Sequence, residues 1–113
     1  MPGLVFRGLP QVGPAKWRLL RTQLSKVIGV PPGHITFDED PTECRRIDED
    51  GVGTPAPIQV FVYWFKGRTP EKKHRVAETI SAWLTSDGRT PPNEISFYDQ
   101  DKTDFYINGE PLT

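Results

Sequence analysis

The chain has 113 residues and a mass of 12.8 kDa, with 14 Lys and Arg against 15 Asp and Glu. That length predicts one compact domain, since domains cluster near ~100–150 residues. A formal charge of −1 gives no basic footprint for nucleic acid, and one cysteine excludes an internal disulfide or a Cys-rich zinc site.

Leu4-Val5-Phe6-Arg7 is short and β-prone and is stopped by Gly8 and Pro10, which predicts a strand over about residues 2–8. Gly13-Pro14 then marks a helix start, with Pro14 suited to the first helical position. Trp17, Leu20, Leu24, Val27 and Ile28 fall on one helical face, and Lys16, Arg18, Arg21 and Lys26 on the other. Gly29 ends the helix, and Pro31-Pro32 forbids its return. His34-Ile35-Thr36-Phe37 alternates and predicts a second strand. From Asp38 to Gly53 the chain is polar and acidic, a loop with room for a short hairpin.

Pro57 opens the strongest strand, Ile58 to Phe65. It is apolar on nearly both faces, which predicts burial on both. Thr69, Pro70 and Glu71 fit the N-cap, first position and first turn of a second helix. Val76, Ile80, Trp83 and Leu84 make its apolar face, and Asp87-Gly88 ends it. Glu94 to Tyr98 is another strand. Phe105, Tyr106 and Ile107 before Asn108-Gly109 predict a terminal hairpin.

Twelve prolines are about twice the ~5% of average chains. Their positions expose a repeat. Pro31-Pro32-Gly33-His34-Ile35-Thr36-Phe37 matches Pro91-Pro92-Asn93-Glu94-Ile95-Ser96-Phe97, sixty residues on. Each copy follows a helix, and each helix follows a strand. The fold class is therefore α+β, with β-α-β repeated twice over about residues 2–40 and 57–100. Two such units side by side give a four-stranded mixed sheet with both helices on one face. The other face would then expose Phe61, Tyr63 and Phe65, which predicts a homo-oligomer.

Three segments resemble the tautomerase superfamily. The opening Met1-Pro2-Gly3-Leu4-Val5-Phe6-Arg7-Gly8 is similar to chains that lose Met and begin with Pro. Thr22 to Pro32, running into His34-Ile35, resembles macrophage migration inhibitory factor (MIF). Lys66-Gly67-Arg68-Thr69-Pro70-Glu71-Lys72-Lys73, continuing to Ser81, resembles the strand-to-helix junction of 4-oxalocrotonate tautomerase. The whole chain most resembles an uncharacterised bacterial subfamily opening Met-Pro-x-Leu/Ile-x-x-Arg-Gly. The resemblance implies a tautomerase/MIF-like fold. It also implies a trimer, in which three sheets build a barrel and pockets form between chains.

It further implies a cofactor-independent tautomerase or isomerase with Pro2 as general base on a small keto/enol acid. Once Met1 is removed, Pro2 carries a secondary amine. An α-amino group titrates near 7.7–8.0, and burial beside a guanidinium lowers that value. A base poised near neutrality suits proton transfer next to a carbonyl. Substrate-binding candidates are Arg7, which ends the first strand close in sequence to Pro2, and Arg68, in the matching place of the second unit. Arg45 and Arg46 come from the acidic loop, and Ser96 and Tyr98 from the last strand. Val30 stands where the MIF branch has a pocket lysine, so that partner is missing. Pro57, the counterpart of Pro2, is internal and has no free amine. The alternative is a non-catalytic oligomer of the same fold, acting in binding or assembly.

Other constellations point away from chemistry. Asp38-Glu39-Asp40 and Asp48-Glu49-Asp50 lack calcium-loop spacing. His34 and His74 have no third ligand, so neither a metal nor a cofactor is expected. Cys44 beside Arg45 and Arg46 is read as a loop thiol, and Trp17, Leu20 and Leu24 as core. An RNA-binding β-α-β-β-α-β domain shares the strand order but needs a glycine–aromatic motif this chain lacks. No run reaches the ~20 apolar residues of a membrane span. The start lacks a basic-then-apolar secretion signal. A cytoplasmic protein is expected.

Overall fold

The computed structural model describes residues 2–86, 88 and 91–112. Met1, whose removal the Pro2 chemistry requires, and Asp87, assigned to a helix end, lie outside the described residues. Four strands form the main sheet: β1 (Gly3–Arg7), β2 (Thr36–Asp40), β5 (Ile58–Phe65) and β6 (Asn93–Gln100). Their order is β2-β1-β5-β6. β1 runs parallel to β2 and antiparallel to β5, and β5 runs parallel to β6. Helices α1 (Pro14–Ile28) and α2 (Pro70–Leu84) supply the two crossovers. The sheet is mixed and four-stranded, in β-α-β units, as the repeat predicts.

Local chemistry explains the helix limits. Gly29 adopts the left-handed conformation at φ 82° and closes α1, donating its N–H to the Ser25 carbonyl. The Thr69 hydroxyl caps α2 by accepting from the Lys72 N–H at 3.2 Å. Leu20, Leu24 and Ile28 of α1 and Val76, Ile80, Trp83 and Leu84 of α2 are buried. They pack on Leu4 and Phe6 of β1 and Ile58, Val60, Val62 and Trp64 of β5. Trp17 and Val27 complete the α1 face but stay partly exposed. At the centre Phe6 meets Trp17, Trp83 and Phe37 edge-on, at centroid distances of 5.0, 5.6 and 5.9 Å.

Two expectations change. The acidic stretch begins as strand: β2 carries Asp38, Glu39 and Asp40, following a single 3₁₀ turn at Pro32–His34. Backbone pairing with β1 governs here, because Leu4 to Arg7 offer a ladder that any residue can fill. β2 is an edge strand, so its carboxylates reach water and discourage further pairing. β5 is buried on one face only. Ile58, Val60, Val62 and Trp64 point to the helices, while Phe61 and Phe65 are half-buried and Tyr63 is exposed.

The rest of the acidic loop is a hairpin, β3 (Arg45–Ile47) with β4 (Gly53–Pro55). Asp48 shapes its turn by accepting from the N–H groups of Asp50 and Val52, each at 2.9 Å. The C-terminal hairpin is β7 (Tyr106–Ile107) with β8 (Glu110–Pro111), turned by Asn108 and Gly109, both at positive φ.

Candidate functional site

Pro2 is fully buried at the head of β1, and its carbonyl accepts from the Thr36 N–H at 3.0 Å. Extending the β1–β5 register by one residue sets Pro2 opposite Trp64. Trp64 is buried and donates its Nε1–H to Asp99 Oδ1 at 2.7 Å. Lys73 of α2 donates to Asp99 Oδ2, also at 2.7 Å. The Lys73 ammonium and the Trp64 N–H hold the Asp99 carboxyl below the usual carboxylate range.

Arg68 follows β5 through Gly67, which takes φ 116° and so accepts no side chain without strain. Its guanidinium lies over the Trp64 ring, with Cζ 5.5 Å from the centroid. Arg68 Nε is buried with no hydrogen-bond partner among the described residues. A buried donor without a partner is costly, and Arg21 Nε, over the Phe37 ring, shares that state; what distinguishes Arg68 is its place at the Pro2 end of the sheet.

Tyr98 lies on the face of the sheet away from the helices. It stacks on Tyr63 at 4.9 Å, and Tyr63 pairs with Gly3, one residue inward of Pro2. Ser96 shares that face one row further in, paired with Phe61, which pairs with Val5.

Arg7 and Arg45 lie elsewhere. Five residues of strand separate Arg7 from Pro2, about 17 Å at the rise of an extended chain. Arg7 and Arg45 instead share a cleft of about 400 Å³ beside Pro57, at the opposite end of the sheet. A second cleft of about 290 Å³, lined by Leu9, Val12, Ile58 and Leu84, opens at the same end. Within one chain the structure therefore brings Pro2, Arg68 and the Tyr98 row to one end. It brings Arg7 and Arg45 to the other, with Ser96 between. Arg46 forms a bidentate pair with Glu94, both N···O contacts at 2.8 Å.

The sequence reading passes over a polar row across the open face. Asp40, Arg7, Gln59 and Glu94 are successive register partners on all four strands. Arg7 Nε lies 3.5 Å from Asp40 Oδ2, and Arg7 Nη1 donates to Gln59 Oε1 at 3.4 Å. Strand alternation marks each of these residues as outward. Their alignment depends on register, which no single strand encodes.

Among the described residues, no three His, Cys, Asp or Glu side chains gather as a metal site, and no helix is long and apolar enough to cross a membrane. His34 sits in the turn before β2, and His74 pairs with Glu78 along α2.

No family model matches the chain. No curated protein does either. Solved structures do. A MIF homologue from Prochlorococcus marinus superposes with a TM-score of 0.76 at 15% identity, covering 98% of this chain and 99% of that one. A protein solved after inactivation by 2-oxo-3-pentynoate superposes at 0.72 with 16% identity, covering 96% and 93%. A wild-type fused 4-OT, solved as an asymmetric trimer, superposes at 0.69 with 20% identity, covering 96% and 94%. The architecture of this chain is the tautomerase/MIF fold.

Proposed function

We propose that the chain is a cofactor-independent tautomerase or isomerase of the cytoplasm, acting on a small keto/enol acid. The observation that carries the reading is the partnerless, buried Arg68 Nε beside Trp64, at the sheet end where Pro2 begins β1. With Met1 removed, the Pro2 nitrogen is a secondary amine at a buried position, opposite the ring on which the Arg68 guanidinium rests. Both influences disfavour its cation and bring it toward neutrality. The amine takes the proton from the enol oxygen and delivers it to the carbon next to the new carbonyl, so no proton is gained or lost. Arg68 holds the substrate carboxylate, with two N–H groups matched to two oxygens. Tyr98 and Ser96, on the open face, offer hydroxyls to the developing enolate in the pocket of a neighbouring subunit. A structural neighbour inactivated by a small 2-oxo acid derivative supports the substrate class.

The working form is a homotrimer. Tyr63 and Tyr98 stand exposed on the open face, at 41% and 45%. A fused 4-OT of the same fold is solved as a trimer.

The full burial of Pro2 favours a second reading, a non-catalytic oligomer that works by binding or assembly. Mass spectrometry of tagless protein, then ketonisation of enol phenylpyruvate by wild type and Pro2→Ala, separates the two. The first reading expects Met1 gone and turnover lost in Pro2→Ala. Retained Met1 with no turnover supports the second.

A further inference from the structure

We infer that the cleft beside Pro57 is a ligand site in its own right, which binds a small dicarboxylate without transforming it. Its lining includes Arg7, Glu43, Cys44, Arg45, Gly53 and Gln59. Its volume of about 400 Å³ falls within the ~300–1,000 Å³ of small-molecule pockets.

Two guanidinium groups face this space, and neither is saturated. Arg7 reaches Asp40 through Nε at 3.5 Å and Gln59 through Nη1 at 3.4 Å, which leaves Nη2 without a partner among the described residues. Arg45 makes no ion pair or side-chain hydrogen bond among the described residues. Its guanidinium lies beside Gly53, in the space a Cβ would occupy, so the missing side chain at Gly53 leaves room for this placement. A planar guanidinium is the group best matched to a carboxylate. Two of them give one for each end of a dicarboxylate. Glu43 opposes excess negative charge and sets a limit on the ligand.

The frame is rigid. The Arg46–Glu94 pair bolts the hairpin to β6 with two 2.8 Å contacts. The Ala56 N–H donates to the Cys44 carbonyl at 2.8 Å, and the Gly8 N–H to the Asp40 carbonyl at 3.0 Å. Pro55 and Pro57 restrict the rim. Pro57 is an internal residue whose nitrogen is an amide, so this end of the sheet has no counterpart of the Pro2 amine. The inference stands apart from any chemistry at Pro2.

The sole cysteine reports occupancy. Alkylation of Cys44 by neutral iodoacetamide is timed in the full chain, with rising malonate at constant ionic strength set by chloride. The expected result is saturable, several-fold slowing, abolished in Arg45→Ala. Pro2→Ala keeps the protection, which separates this site from the Pro2 proposal. Titration calorimetry with malonate covers a ligand that seats without shielding the thiol. Binding heat that disappears in Arg45→Ala upholds the site. Absence of both protection and heat, or either one persisting unchanged in Arg45→Ala, overturns it.

Discussion

Asp99 links three elements through one carboxylate. It accepts from Trp64 on β5 and Lys73 on α2 while belonging to β6. These donors favour its charged form, so its folded pKa lies below the unfolded value near 3.9. A depressed carboxyl contributes stability that is present above the unfolded pKa and is lost as pH falls through the folded one. Asp99→Asn is therefore expected to melt below wild type at pH 7. The gap should narrow below about pH 4. Melting curves over an acid series check this, and a gap that widens with acid contradicts it. Arg68 rests on the ring that Asp99 orients, so Asp99→Asn should also lower turnover of a keto/enol acid more at pH 7 than its stability loss explains. In the core, Leu24 is fully buried, and Leu24→Ala should cost about 2–5 kcal/mol in urea unfolding.

The elements show how far sequence reading reaches. Both helix starts and the end of α1 were legible to within a residue because their punctuation is chemical: proline at the start, Gly29 at one end, Thr69 as a cap; α2 ends at Leu84, short of the Asp87-Gly88 stop. Thr69→Ala should destabilise by about 1 kcal/mol, since one capping bond is lost. Chemical denaturation measures that loss, and an unchanged midpoint would show that the cap contributes nothing. The proline doublets made the β-α-β repeat visible. β2 was obscured because Asp38-Glu39-Asp40 has no strand signature of its own; its partner strand imposes the conformation. Of the candidate residues, Pro2 and Arg68 fall at one end of the sheet, as their matching motif positions imply. Arg7 falls at the other end of β1, because closeness in sequence is distance along a strand. The row Asp40, Arg7, Gln59 and Glu94 was hidden, since it exists only after four strands are in register.

For the whole molecule, the two faces of the sheet behave differently. One is sealed by helices. The other shows stacked tyrosines, both exposed, bordered by a charged row. A trimer is expected by light scattering, and Tyr63→Asp should shift it to smaller species by placing three charges in one closed interface. A wild-type monomer at assay concentration would remove the intersubunit pocket from the account. The central claim rests on one nitrogen atom. The direct measurement is ketonisation of enol phenylpyruvate by Met1-free protein, comparing wild type with Pro2→Ala at matched oligomeric state. The account predicts turnover in wild type and its loss in the variant. Equal turnover in both, or none in Met1-free wild-type trimer, contradicts it.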